Sequence, residues 1–394
     1  MRTTWVVPDG VERVLHNVDA IAVLPGVIES LDYSKVFVIS SRTLNTTTDV
    51  VDRLITSLGD RFVGFTDEVG DHAPVSNVIK GALAVRDSGA EVMVTIGGGS
   101  VIDFAKFIQL AISEDVYTKQ ELLERGKFGI SADGMSIVGT STAPPKIRQI
   151  AIPTSLATAE WNGMGTPVDD ETRQKIDLMA VDGAPQVIIY DPSILALTPV
   201  KLILATGFRG LDHAINAVCN VAPHPLATTL AEKSVALYVE NLPRIARDPH
   251  DREALVNCQL ACWFVGMVLE SVYSTWGFSG GSVIVLAPYA GVQHSDMACV
   301  MMLAQARWLD GLEEPPQRRI TEILGRPNES FSVILEELLG ELGLPTSLDD
   351  LGVSNETIEE AIPLLLTAPF VTQHNLRPIK TADDLRAVLA LVRR

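Results

Sequence analysis

Short aliphatic and β-branched runs punctuate the first half of the chain. Residues 36–39, 92–96 and 187–190 are apolar almost throughout, and residues 147–152 carry the same bias. Runs of that length and content predict strands buried on both faces. Between the first two, residues 47–58 and 75–88 place apolar side chains at helical spacing. Strand and helix in alternation predict βα units and a largely parallel sheet. After Pro199 the strand signals stop. Helical patterns take over at 225–246, 251–272, 295–309 and 331–342, and Pro192 and Pro199 mark the seam. The expected architecture is an α/β domain with a parallel sheet over residues 1–192, followed by an all-α domain over 193–394. Residues 125–145 are rich in Gly, Ser and Pro and read as a long loop.

Composition narrows the partners. Hydrophobic residues make up 47% of the chain, which excludes a disordered polymer. Lys and Arg number 31 against 49 Asp and Glu, a net charge of −18. A field of that sign argues against nucleic acid and against anionic membrane surfaces. Four cysteines are too few for a disulfide framework, and Cys258 and Cys262 read as core thiols in an apolar helical stretch. No apolar run reaches the roughly 18 residues that span a bilayer. Pro8, Asp9 and Glu12 interrupt the start of the chain where a secretory leader would be apolar. The expectation is a soluble cytoplasmic protein with a small-molecule partner, no nucleic acid and no membrane.

The strongest local signal follows the second strand. Three glycines, Gly97, Gly98 and Gly99, lead through Ser100 into an amphipathic helix built on Val101, Phe104, Ala105, Ile108, Ala111 and Ile112. Glycines let backbone N–H groups approach a ligand, and a helix N-terminus adds a positive dipole end. Together they suit a diphosphate; an ordinary tight turn is the alternative. Ser100 is expected to cap the helix, with Asp103 completing a capping box.

The spacing is not that of the G-x-G-x-x-G fingerprint. The strand, the Gly97–Ser100 turn and the following Asp103 and Lys106 instead resemble the iron-containing alcohol dehydrogenase superfamily, the maleylacetate reductase branch most closely. Ile152-Pro153-Thr154-Ser155, Ala159-Glu160-Trp161, Lys175 and Tyr190-Asp191-Pro192 follow in the family's order. So do the stretch from Ala205 through Arg209, Asp212 and His213 to Ala214, and His374-Asn375-Leu376-Arg377-Pro378 near the end. The resemblance implies a dinucleotide-binding N-terminal domain, a helical C-terminal domain, a site in the cleft between them and a homodimer. It places NAD(P)H on Ser41, Gly97, Gly98, Gly99, Ser100, Asp103, Thr154, Ser155 and Lys175. Many members carry an aspartate at position 41 that grips the adenosine ribose. Here Ser41 is followed by Arg42, which removes a repulsion and offers a phosphate partner, so NADPH stands beside NADH.

The resemblance breaks at the metal. Metal-dependent members use an aspartate and a histidine four residues later, with two more histidines. Here Arg209 holds the aspartate position and His213 the first histidine position. Residues 270–282 contain no histidine, and Ser279 falls where the last ligand would be. A guanidinium is always cationic and ligates no divalent ion. No metal is expected.

Arg209, His213, Asn216 and Asn220 are spaced i, i+4, i+7 and i+11, one polar stripe on an otherwise apolar helix. A stripe of that kind is either a solvated face or the wall of an interior cleft. In the second case Arg209 would replace the metal as the electrophile and His213 would donate a proton. Asp212 is the third catalytic candidate, though adjacent helical residues do not face each other. His294, Tyr273 and Trp276 read as core or as cleft lining. The implied function is a metal-independent NAD(P)H-dependent reductase of a small oxo-acid, aldehyde or alcohol. A non-redox lyase or cyclase on the same scaffold and an inactive binding protein remain the alternatives.

Overall fold

The computed structural model describes residues 10–70, 73–130, 137–139, 141, 143–165, 167–171, 176, 178–180, 182–219, 224–269, 277–313, 315–372 and 375–394. Six strands make one parallel sheet: β1 Arg13–His16, β2 Val36–Ser40, β3 Phe62–Thr66, β4 Val92–Gly97, β5 Arg148–Pro153 and β6 Val187–Tyr190. Their order is β1-β6-β5-β4-β2-β3. The four expected strands are there, with ends shifted by one residue at most. β1 and β3 were not expected. Both are edge strands with one neighbour each, and neither has a fully buried residue. A half-covered strand needs no continuous apolar run, so the sequence signal was weak.

Alternation along the inner strands builds two apolar layers. Phe37, Ile39 and Met93 face the helices Val75–Asp87 and α2 (Gly99–Glu114). Val36, Val38, Val92, Val94 and Ile96 face the helices Ala20–Ser30 and Val50–Leu58. The topology then fixes a crevice. From β2 the chain moves outward to β3; from β4 it moves the opposite way to β5. Adjacent strands whose connections diverge leave an opening beyond their carboxyl ends, here between β2 and β4, where Ser40 lies in register with Ile96.

Two local expectations are corrected. Residues 47–58 do not form one helix. The chain makes α1 (Arg42–Thr47) and a second helix, Val50–Leu58, with Thr48 extended between them. Thr48 Oγ1 donates to the Leu44 carbonyl and Val50 N–H reaches back to it, the local bonding by which a Thr/Asp cluster competes with helix interior. Residues 125–145 are not all loop. The helix Lys119–Gly126 precedes an antiparallel hairpin, Phe128–Ile130 with Ile137–Gly139, too short for periodicity to reveal.

The chain divides into two compact units at Pro199/Val200. Among the described residues no strand follows Tyr190. The second unit is built around α3 (Val200–Val218), whose residues from Ile203 to Val218 are all buried. Around it pack α4 (Pro225–Arg247), α5 (Arg252–Leu269), α6 (Gly277–Ala290) and α7 (His294–Leu309). A helix apolar on nearly every side is a central helix.

Lys106, on α2, is completely buried. Its Nζ donates to Asp103 Oδ1 (2.8 Å), the Ala159 carbonyl (2.6 Å) and the Met164 carbonyl (2.8 Å), tying α2 to the segment after β5. Lys106→Met would strand those three acceptors. Urea unfolding of that variant should show a loss of about 3 kcal/mol or more, as for other broken buried ion pairs. A loss under about 1 kcal/mol would show that the ammonium does not hold these elements together.

Candidate functional site

The first cluster lies at the crevice of the sheet. α2 begins at Gly99, with extended Gly98 as its N-cap and no side chain bonded to its first N–H groups. This corrects the capping box. Ser100 lies inside the first turn and exposed, and the Asp103 carboxylate is held by Lys106 instead. The three glycines differ in what they require. A Cβ on Gly97 would come within 2.5 Å of Val101, so Gly97 answers to its own packing. A Cβ on Gly98 would meet nothing nearer than Ser155 Oγ at 3.5 Å, and one on Gly99 only Ala159 Cβ at 3.4 Å. At these two, the missing side chain leaves bare backbone facing outward. Thr154 N–H donates to the Gly97 carbonyl at 3.0 Å, and Thr198 Oγ1 to the Thr154 carbonyl at 2.6 Å. Gly97, Gly98, Gly99, Thr154 and Ser155 are thus brought together. A helix N-terminus with no side-chain cap among the described residues fits a diphosphate. Ser41 caps α1, its Oγ accepting from Leu44 N–H at 3.3 Å, and Arg42 is exposed. Lys175 lies outside the described residues.

The second cluster lies inside the helical unit. Arg209 and Asp212 form an ion pair three residues apart on α3. The other carboxylate oxygen of Asp212 accepts from Ser279 Oγ (2.6 Å) and Asn216 Nδ2 (3.0 Å). Asn216 Nδ2 also reaches Ser279 Oγ (2.8 Å). Gln305, on α7, closes the ring: its Nε2 donates to Asn216 Oδ1 (2.7 Å) and its Oε1 accepts from Ser279 N–H (2.8 Å). Arg209, Asp212, His213, Asn216, Ser279 and Gln305 are all buried. Arg209, His213 and Asn216 are therefore interior, not on a solvated face. Asp212 joins them through Arg209 and Asn216, its i−3 and i+4 neighbours, rather than through His213. Asn220, Tyr273, Trp276 and His374 lie outside the described residues.

One member escaped the sequence reading. Gln305 is a lone polar residue in the apolar buried run from Met297 to Ala306, and that oddity was its only signal. His294, half-buried at the head of α7, lies close enough to act electrostatically on His213. The helical spacing that revealed α3 says nothing about contacts from another element.

The metal that the resemblance implies does not fit these residues. A tight site needs about three donors that lack or lose a proton. Both oxygens of Asp212 are committed to Arg209, Asn216 and Ser279. Among the described residues no three His, Cys, Asp or Glu side chains converge as a metal cluster.

Burial raises the Asp212 carboxyl from its ordinary value, and Arg209 and the hydrogen bonds pull it back. Burial first, then the charges of Arg209 and His294, hold the His213 imidazole well below the usual histidine range. His213 is neutral in the folded chain at pH 7. An unfolded histidine takes up its proton as pH falls through about 6.5; folded His213 does not until well below that. Over that window the unfolded chain binds more protons, and stability falls with pH by up to about 1.4 kcal/mol per unit from this one group. His213→Gln should flatten that decline between pH 7 and 5 in denaturant titrations. Equal slopes would show that His213 is not buried as the neutral base.

The profile of the iron-containing alcohol dehydrogenases matches residues 12–192, and that of the Fe-containing alcohol dehydrogenase C-terminal domain matches residues 203–391. The chain is 26% identical to a maleylacetate reductase of Sphingobium indicum over 333 residues, 83% of this chain and 81% of that protein. The maleylacetate reductase structure from Agrobacterium tumefaciens superposes with a TM-score of 0.80 at 22% identity, covering 100% of this chain and 99% of that one. The sulfoacetaldehyde reductase of Bifidobacterium kashiwanohense, solved with NAD+, gives 0.83 at 18% identity over 99% and 98%. The sheet, the glycine turn and the two matched halves together place this chain in the iron-containing alcohol dehydrogenase family, as an oxidoreductase.

Proposed function

We propose that this chain reduces a small oxo-acid or aldehyde, or oxidises the matching alcohol, with NADH or NADPH and without a metal. The observation that carries the reading is the uncapped start of α2 at the crevice between β2 and β4. The bound dinucleotide supplies the hydride. Its diphosphate rests on Gly97, Gly98, Gly99 and Ser100, with Thr154 and Ser155 beside it and Ser41, Asp103 and Lys175 completing that set. Residues 1–192 serve the cofactor and 193–394 the substrate, in a cytoplasmic homodimer. A relative that reduces maleylacetate supports an oxo-acid as substrate.

The residues that act on the substrate are those of α3. The Arg209 guanidinium can hold the carbonyl or carboxylate oxygen that a metal would otherwise polarise. Asp212 orients the guanidinium, and Asn216, Ser279 and Gln305 fix Asp212. His213 enters neutral. A ring N–H of His213 passes its proton to the carbonyl oxygen as negative charge grows there, and the other ring nitrogen takes one up from water, so the imidazole ends neutral and the alcohol is formed.

NADH oxidation measured against a panel of small oxo-acids tests the reading. Gly98→Val should fold, because its backbone is extended and its Cβ has room, yet lose measurable NADH binding by calorimetry. Arg209→Lys keeps the charge and loses the planar fork, and should lower kcat/KM about 100-fold. Undiminished NADH affinity in Gly98→Val would remove the diphosphate from this turn. Unchanged kcat/KM in Arg209→Lys would remove Arg209 from the chemistry.

A further inference from the structure

We infer that Asp67 selects NADH over NADPH in this chain. The inference rests on the proposal that the diphosphate lies at Gly97–Ser100.

Asp67 follows β3 directly, and β3 pairs with β2 through Ile39 and Thr66. Its carboxylate therefore begins at the carboxyl edge of the same crevice. Asn45, one turn into α1 after β2, donates Nδ2–H to Asp67 Oδ2 at 2.8 Å. That bond draws the carboxylate toward the end of β2, beside Ser41. The three groups sit half-buried together. From β4, where the diphosphate rests, β2 lies one strand spacing away and β3 two, about 5 and 10 Å. A nucleoside leaving the diphosphate toward β2 brings its ribose over this spot.

The side chains there divide the work. The Ser41 oxygen accepts from Leu44 N–H and is occupied with capping α1. Arg42 extends into solvent, where its charge is screened. Asp67 alone among these presents an anchored anion. A carboxylate accepts hydrogen bonds from a ribose diol and repels a 2′-phosphate carrying up to two negative charges. The anchored, half-buried anion outweighs the exposed cation. Position 41 has lost its carboxylate, and the neighbouring strand supplies one.

Titration of the full-length protein with NADH and with NADPH tests this. The wild type should bind NADH at least tenfold more tightly. Asp67→Asn keeps the shape, and should reduce that ratio at least tenfold, chiefly by strengthening NADPH. Asn45→Ala frees the carboxylate and should move the ratio the same way by a smaller factor, which decides the matter if Asp67→Asn does not fold. Arg42→Ala should weaken NADPH only. A wild type that prefers NADPH, or a ratio unmoved in Asp67→Asn, overturns the role of Asp67 while leaving the diphosphate site intact. Binding of neither cofactor to the wild type overturns both.

Discussion

The helical unit is organised around the ion pair between Arg209 and Asp212. Both side chains sit on a helix that is buried on all sides, where an unpaired charge would cost several kcal/mol. The pair is tolerable because both carboxylate oxygens of Asp212 are bonded. Asn216 and Ser279 take the second carboxylate oxygen, and Gln305 satisfies Asn216 and the Ser279 backbone in turn. This closed ring fixes where the guanidinium points. Burial first, and then the charge of Arg209, keep His213 neutral. A fixed cation thus stands at Arg209, and the neighbouring carboxylate that could have served a metal is already spent on it.

The α/β unit solves a different problem with less. The diphosphate site proposed there needs unpaired N–H donors and empty space in front of them. Gly98 supplies the space and the missing cap supplies the donors. Lys106 and Thr154 contribute rigidity: each bonds across to the neighbouring segment, so the turn is held from behind and left open in front. Fold and chemistry meet at the divergence of β2 and β4, where the chain moves on to strands on opposite sides.

What the sequence disclosed follows from how each feature is encoded. Inner strands are written as uninterrupted apolar runs, so four of six were legible. The edge strands Arg13–His16 and Phe62–Thr66 were not, because one open side relaxes the pattern. Long helices of the second unit were legible from their period, and Arg209, His213 and Asn216 from the polar stripe on one of them. Contacts between elements leave no such mark. Gln305 reaches the ring from another helix, and Asp67 reaches the end of β2 from another strand; neither distance along the chain nor residue type announces it. The capping box misled for a physical reason: Ser100 and Asp103 have the right spacing, but Lys106 outbids the backbone for the carboxylate.

The central claim of the proposed function is that a guanidinium does the work of a metal. Elemental analysis of the purified protein, before and after exhaustive chelation, with NADH-dependent reduction of an oxo-acid followed on the same samples, tests it directly. The account predicts no stoichiometric iron or zinc and the same rate and melting temperature after chelation. About one iron or zinc per chain, lost together with activity on chelation and restored by adding the metal back, would contradict it.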